Sequence, residues 1–216
     1  MTGRLATVAC AVGLALLLVA LGVFAGVAWE SRRADQGSHE PRPVDIGFAQ
    51  DMGVHHDQAI LIARTLGTDV APEIRGLADR IAAAQSAEAA TLRGWLDWFG
   101  LPPTSGVPMS WMHPGGHDHG TTTASSDEPP MPGLASTDEI GRLAEAHGAA
   151  AEVLFLQLMI RHHRGGIEMA TAAQNSDLAS PATKRLALAM ISDQGDEIGQ
   201  MTLLLRARGA APLPAR

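Results

Sequence analysis

The sequence predicts an all-α protein in which two duplicated helical hairpins form a four-helix bundle, preceded by one N-terminal transmembrane helix. Three observations lead to this prediction. Four long segments carry apolar residues at helical spacing, and no stretch alternates with the two-residue period that is typical of strands. A motif of the first half recurs in the second half. One apolar segment without charged residues lies near the N-terminus.

The apolar N-terminal segment covers residues 5–29 and is long enough to cross a bilayer, which takes roughly 20 residues. We interpret residues 1–29 as a signal anchor that leaves the following domain outside the cytoplasm, attached to the cell membrane by a single pass. Small residues at Gly26 and Ala28 keep an alternative open, in which the chain is cleaved after Ala28 and secreted. The absence of cysteine beyond Cys10 suits an oxidising compartment.

The chain after the anchor divides by composition. A polar segment with two prolines is interpreted as a stalk. A stretch rich in Gly, Pro, Ser and Thr separates the two helical halves. We therefore expect a stalk at 30–43, a bundle at 44–208 and a tail at 209–216, the bundle consisting of repeat one at 44–100, a Met/His-rich loop at 101–136 and repeat two at 137–208.

Local signals define the helices. Pro72 and Pro181 are placed to start helices, where proline is tolerated, and Gly100 is placed to end one. A short helix is expected to begin near Ser136, because capping residues follow it. The long helices are predicted at 44–67, 71–99, 148–175 and 181–207.

The internal repeat has two parts. Phe48-x3-Met52-x2-His55-His56 recurs as Phe155-x3-Met159-x2-His162-His163, and Gln85-x2-Glu88 recurs as Gln194-x2-Glu197. Each half is thus one helical hairpin. Since a lone hairpin cannot bury its apolar face, the two are expected to pack together.

The histidine pairs are the strongest candidates for chemistry. Helical spacing puts His55 and His162 in the apolar seam of their helices, with His56 and His163 flanking the same space. Two interpretations are possible for these pairs. Either they bind a metal ion, or they are core histidines that form hydrogen bonds. Glu88 and Glu197 lie on apolar stripes of the partner helices, where an unpaired charge is costly. They would either ligate the ion or bond to the histidines.

Methionine precedes each histidine pair by one helical turn. Di-iron bundles use Glu-x-x-His on two helices, whereas this sequence has Met52-x-x-His55 and Met159-x-x-His162. A thioether removes negative charge and adds a soft donor, and thioether with imidazole favours copper, especially Cu(I). The alternative is that both methionines fill the core.

The loop adds a second candidate site. Two methionines and three histidines fall within eleven residues, a composition that suggests metal capture and transfer, although a linker with incidental histidines is the alternative. We expect this loop to lie outside both hairpins and to give few apolar residues to the core. Its candidate ligands are Met109, Met112, His113, His117 and His119.

These motifs resemble a ferritin-like family of bacterial extracytoplasmic proteins whose repeats carry Phe-x3-Met-x2-His-His followed by a Gln-x2-Glu helix. The resemblance covers roughly residues 44–207 and includes the linker Met131-Pro132-Gly133. It implies a ferritin-like four-helix bundle, and some relatives bind copper in the periplasm. The first copy departs from the pattern, reading His56-Asp57-Gln58-Ala59 where the second reads His163-Arg164-Gly165-Gly166.

The leading functional prediction is an extracytoplasmic copper-binding protein that serves sequestration, tolerance or delivery, with an unidentified protein as possible transfer partner. A ferritin-like dinuclear metal oxidase is the first alternative, although no carboxylate stands in the place of the Glu-x-x-His glutamate. The second alternative is a metal-free structural or partner-binding bundle.

The composition excludes other classes. The formal net charge of -7 disfavours a nucleic-acid partner, which would normally face a basic patch. The single cysteine excludes a disulfide scaffold and any multi-thiolate zinc or iron–sulfur site. The sequence shows no nucleophile–base motif and no phosphate-binding loop, so no catalytic residue is predicted.

Overall fold

The computed structural model describes residues 40–112 and 130–214, with Gly22 and Gly26 alone before them. Apart from these two glycines, the predicted anchor therefore lies outside the described residues, as does the alternative cleavage site after Ala28. No helix within the described part is long and apolar enough to span a membrane. Two units are distinguished, Met1–Glu40 and Pro41–Arg216, and every helix discussed below belongs to the second.

The described residues of this unit form five α-helices and one short 3₁₀ turn, which confirms the all-α prediction. The four long predicted segments agree with the observed helices to within two residues at each end. The elements are α1 (Pro43–Thr65), α2 (Pro72–Trp98), the 3₁₀ turn (Ser110–Met112), α3 (Thr137–Glu145), α4 (Gly148–Asn175) and α5 (Pro181–Ala207).

Helix starts follow the sequence signals. Proline occupies the first turn of α1, α2 and α5, where its missing N–H costs no hydrogen bond. Ser136 begins α3 through a capping box with Glu139, as predicted. Ser180 caps α5 by accepting a hydrogen bond from the backbone N–H of Thr183.

The long helices pack as two hairpins. α1 pairs with α2 and α4 pairs with α5, and the two hairpins meet through α1 and α4. Each long helix contributes side chains to two apolar clusters. Cluster A contains Ala59, Ile62, Leu77, Ile81, Phe155, Met159, Ile160 and Met201 among others, and cluster B contains Phe48, Met52, Leu92, Trp111, Met169 and Met190 among others.

The first end of the predicted loop packs on α1. Asp51 Oδ2 accepts hydrogen bonds from the Met109 backbone N–H at 2.7 Å and from Trp111 Nε1 at 2.9 Å. Trp111 is buried and meets Phe48 edge-on, with ring centroids 5.6 Å apart. Gly47 makes this approach possible, because a Cβ there would overlap the Trp111 side chain.

The other end of the loop packs as well. Met131, Leu134 and Ala135 are buried. Gln58 of α1 donates to the Ala135 carbonyl at 2.9 Å and accepts from the Ala135 N–H at 2.7 Å. The expectation that the loop gives few apolar residues to the core is therefore wrong. The buried Asp51 and the half-buried Gln58 of α1 hold the two loop ends against the helices, which composition alone does not reveal.

Candidate metal centre

A single polar level separates the two apolar clusters. On α1, Met52 belongs to cluster B and Ala59 to cluster A. On α4 the order is reversed, with Ile160 in cluster A and Met169 in cluster B, so the two helices run antiparallel. α2 and α5 change cluster at the same level. We call the residues at this level the polar layer: His55, His56, Gln85, Glu88, His162, His163, Gln194 and Glu197.

The four histidines of the polar layer come from the two repeats and lie close together. His55, His56 and His163 are fully buried, and His162 is 1% exposed. The rings of His55 and His162 are tilted by 36° to each other with centroids 3.9 Å apart, and the centroids of His162 and His163 are 6.2 Å apart. His55 and His162 thus lie in the seam as predicted, while His56 and His163 are buried as deeply rather than lying at its margin.

Each histidine uses its Nε2 in a hydrogen bond. His56 Nε2 lies 2.6 Å from Glu88 Oε2, and His163 Nε2 lies 2.6 Å from Glu197 Oε2. His55 Nε2 lies 3.1 Å from the carbonyl oxygen of Pro132, and His162 Nε2 lies 3.0 Å from the carbonyl oxygen of His55. All four partners are acceptors, so every Nε2 carries a proton and donates it.

The opposite nitrogen is left unused on all four rings. Within the described residues, Nδ1 of His55, His56, His162 and His163 is buried and has no hydrogen-bond partner. A neutral imidazole protonated on Nε2 has its lone pair on Nδ1. The polar layer therefore holds four buried lone pairs with nothing in the described chain to donate to them.

Burial also keeps the central pair neutral. Removal from water, with His56 and His163 nearby, lowers the pKa of His55 to about 3. The same causes, burial first and then the neighbouring histidines, hold the pKa of His162 well below its ordinary value of 6.5. Since a metal ion binds the neutral ring, protons compete weakly for these two nitrogens at neutral pH.

Glu88 and Glu197 each hydrogen-bond to a histidine, which is the second of the two roles that the sequence left open. Their side chains are 21% and 24% exposed, so they lie at the edge of the layer rather than in the core. Each orients a histidine through Nε2, which is the arrangement by which carboxylates orient metal-binding histidines and raise their basicity.

The candidate methionines are divided among several places. Met52 borders the polar layer from cluster B and Met159 borders it from cluster A, and both are fully buried. Met109 and Met112 are half-buried and pack against cluster B beside Trp111. The loop histidines His113, His117 and His119 lie outside the described residues.

The described histidines, aspartates and glutamates do not by themselves gather into a metal-binding group of three or more. An ion in the polar layer would accordingly need a low coordination number or donors of another type. The residues fit Cu(I), which accepts few ligands and favours imidazole and thioether. Nδ1 of the central histidines could then act together with the sulfur of Met52 or Met159.

Three participants were missed by reasoning from the sequence. Gln85 and Gln194 are buried in the polar layer. In their Gln-x2-Glu motifs, only the glutamates, Glu88 and Glu197, were considered as candidates from the sequence. The recurrence of Gln-x2-Glu in both repeats was the signal that could have identified them. The third is the Pro132 carbonyl. The linker Met131-Pro132-Gly133 is part of the resemblance, but the sequence does not indicate that its carbonyl meets a histidine, because a backbone acceptor can come from any residue.

The linker reaches His55 because of glycine. A Cβ on Gly165 of α4 would overlap the Pro132 carbonyl oxygen and crowd the Gly133 backbone. Gly165→Ala is therefore expected to destabilise the protein by about 1–3 kcal/mol, since the obstacle is backbone rather than a flexible side chain. Urea unfolding followed by circular dichroism measures this loss.

Gly199→Ala is the matched control, because Gly199 is also inside a helix but has open space around its Cα. The control is expected to gain about 0.5–1 kcal/mol from helix propensity. If Gly165→Ala gained stability by the same amount, the linker would not lie against α4.

Comparisons with known proteins identify relatives of this chain. Among curated proteins, no sequence matches the chain. A DUF305 protein from Streptomyces coelicolor, described as secreted, is 37% identical with a TM-score of 0.69, and the match covers 79% of this chain and 97% of that one. A DUF305 fragment from Deinococcus radiodurans is 29% identical with a TM-score of 0.61, covering 78% and 99%.

A third solved protein, CopM, is known in Cu(I)-bound and Cu(II)-bound forms. The two forms are 25% and 27% identical to this chain, each with a TM-score of 0.54 and with 76% of this chain and 96% of CopM covered. The family described as "Domain of unknown function (DUF305)" matches residues 45–205. Its match spans both repeats and the linker between them, which confirms the family resemblance expected from the repeated motif. The chain belongs to the DUF305 family.

Proposed function

We propose that this protein binds copper ions in the polar layer and serves their sequestration, tolerance or delivery outside the cytoplasm. The observation that carries the proposal is the set of four buried Nδ1 atoms without a hydrogen-bond partner among the described residues. We further infer that the two hairpins form a four-helix bundle of the ferritin-like type, with the polar layer across its middle.

A purely structural role explains this set poorly. A histidine retained only to bond helices together can use both nitrogens, and a buried polar atom without a partner costs about 1–3 kcal/mol. Here the cost recurs on four rings at one level of the fold. An ion that accepts the lone pairs of the central pair, His55 and His162, removes part of this cost. The Nε2 partners then set the tautomer in which Nδ1 is available.

The donors around the layer favour copper over harder ions. Met52 lies in cluster B and Met159 in cluster A, on opposite sides of the polar layer. Soft thioether with imidazole selects Cu(I) rather than magnesium or iron. The copper-bound forms of CopM, a distant relative, support the same choice. We propose His113, His117 and His119, with Met109 and Met112, as a second region that captures or transfers the ion.

A dinuclear oxidase is less well supported. Such a site needs carboxylates that bridge two metal ions. Glu88 Oε2 and Glu197 Oε2 each lie within 2.6 Å of a histidine Nε2 instead. Using them as bridges would release His56 and His163 from the partners that orient them.

We propose an extracytoplasmic location. The relative from Streptomyces coelicolor is described as secreted, which agrees with the apolar N-terminal segment of this chain. Residues 1–29 would hold the protein at the cell membrane as a single-pass anchor, and cleavage after Ala28 would instead release it.

The test replaces the central pair of histidines. In the full-length chain with His113, His117 and His119 changed to alanine, copper bound per chain is measured before and after His55→Leu and His162→Leu. We expect copper binding by the bundle to be lost while the free energy of unfolding is held or raised, because removing two buried Nδ1 atoms without partners offsets the loss of the two Nε2 hydrogen bonds to backbone carbonyls.

His147→Leu serves as the control, because His147 is exposed and bonds to Asp69 outside the polar layer. It is expected to leave copper binding unchanged. Copper binding that survives the double replacement would overturn the proposal for the polar layer, and a parent protein that binds no copper would favour the metal-free bundle.

A further inference from the structure

Two carboxamides share the polar layer with the histidines, and the proposed use of the layer leaves them unexplained. Gln85 is 3% exposed and Gln194 is 2% exposed. Within the described residues, Oε1 of Gln85 and both Oε1 and Nε2 of Gln194 are buried without a hydrogen-bond partner. Buried amides are normally bonded, so these oxygens need an explanation of their own.

The surroundings of Gln194 place its amide beside the histidines. Gln194 lies one helical turn before Glu197, which holds His163. Its Oε1 lies against Gly166 of α4, where a Cβ would overlap it. Gly166 is itself one turn after His162 and His163, so the missing side chain leaves room for the carboxamide one turn along α4 from these histidines.

Gln85 repeats this position in the first hairpin. It precedes Glu88 by one turn, as Gln194 precedes Glu197, and Glu88 holds His56. Ala59 is the counterpart of Gly166 and adds only a Cβ, so the first repeat has a small residue here but not the same free space. Each pair of histidines thus has one buried carboxamide on the neighbouring helix of its own hairpin.

We propose, building on the proposed copper site, that Gln85 and Gln194 are the oxygen donors of the polar layer and allow it to hold Cu(II) as well as Cu(I). Imidazole and thioether alone favour the soft Cu(I) ion. A carboxamide oxygen is a harder, neutral donor, and a weak oxygen ligand of this kind tunes the redox potential of a copper site. The glutamines therefore determine which oxidation states the site accepts.

The experiment compares the two oxidation states in one set of variants. The parent is the full-length chain with His113, His117 and His119 changed to alanine, and the test variant adds Gln85→Leu and Gln194→Leu. Gln200→Leu is the control, since Gln200 lies on the same helix as Gln194 but is exposed. Affinities for Cu(I) and Cu(II) are measured by chelator competition, together with the electron paramagnetic resonance spectrum of bound Cu(II).

We expect the double variant to lose Cu(II) affinity by about tenfold or more, with Cu(I) affinity unchanged to within about threefold. The reduction potential should rise by about 59 mV for each tenfold difference between the two losses. The Cu(II) spectrum should change, and the metal-free protein should be as stable as the parent or more so. A variant with Gln85→Leu and Gln194→Glu has an oxygen donor again at position 194. It should recover Cu(II) affinity relative to the double leucine variant.

Equal losses of Cu(I) and Cu(II) would overturn the inference, because they indicate that the glutamines only shape the layer. Unchanged affinities and an unchanged spectrum would overturn it as well. The single variants Gln85→Leu and Gln194→Leu give the same readings if the double variant does not fold. Failure of the proposed function is a separate result, seen when His55→Leu with His162→Leu leaves copper bound.

Discussion

Acidifying the metal-free protein from pH 7 to pH 4 is expected to lower its free energy of unfolding by several kcal/mol. The cause is the buried, neutral state of His55 and His162. In the unfolded chain both rings take up a proton near pH 6.5, whereas in the folded protein burial holds the pKa of His55 at about 3 and that of His162 well below 6.5. Below pH 6.5 the unfolded state therefore binds more protons than the folded state.

This difference sets the sign and the window of the effect. Stability rises with pH wherever the unfolded state binds more protons, so it falls as the pH is lowered from 6.5 towards 3. The slope approaches about 1.4 kcal/mol per pH unit for each histidine well below pH 6.5. His55 alone then accounts for about 3 kcal/mol between pH 6.5 and pH 4.

Two other groups, Asp51 and Glu152, also change the free energy of unfolding in this pH range. A variant separates their effect from that of the histidines. Burial raises the pKa of Asp51, which favours the folded state as the pH falls and offsets part of the loss. The bonds from Ala71 and Arg208 lower the pKa of Glu152, which adds to the loss. Both groups are unchanged in the protein with His55→Leu and His162→Leu.

Urea unfolding at a series of pH values, with chelator present, compares wild type with this variant. The variant should lose much less stability between pH 6.5 and pH 4. Two parallel curves would mean that the histidines are not buried in the neutral state.

Arg161→Met is expected to cost about 3–5 kcal/mol, the loss typical of breaking a buried ion pair from one side. Arg161 lies directly before His162 and is 2% exposed. Its guanidinium donates to both carboxylate oxygens of the buried Glu139, at 2.8 Å and 2.6 Å, and also to the Leu134 carbonyl. The pair ties α3 and the linker to α4 at the level of the polar layer.

A surface pair provides the control for this prediction. Arg93 and Asp57 form an ion pair whose side chains are 40% and 50% exposed. Arg93→Met should cost less than about 1 kcal/mol, because solvent screens the pair. Denaturant unfolding of both variants measures the two costs, and similar losses would show that burial does not strengthen the contribution of Arg161.

Local pattern predicted the helices and the burial of the histidines well. Apolar spacing determines which face of a helix is buried, so Met52, His55, Met159 and His162 could be placed in the core before any packing was known. The duplicated motif likewise predicted two hairpins, and both are present. The family resemblance followed from the same residues and is confirmed by the match over residues 45–205.

Local pattern was less reliable where side chains reach across the fold. Glu88 and Glu197 were placed on the apolar stripes, yet Gln85 and Gln194 are the buried members of those turns. Three residues along a helix separate the two positions, so both point to the same side. The long flexible glutamates reach the histidines from the rim while keeping contact with solvent, and only the amides are enclosed.

The sequence by itself therefore determined the helices, their duplication and the buried face of each helix. These features depend on residues within a few helical turns of one another. Only the tertiary structure decided which nitrogen of each histidine is free. His55 meets Pro132 from 77 positions away, and His162 meets the carbonyl of His55 from 107 positions away. Such partners are backbone atoms brought together by the packing of the hairpins and the linker, and no local spacing encodes them.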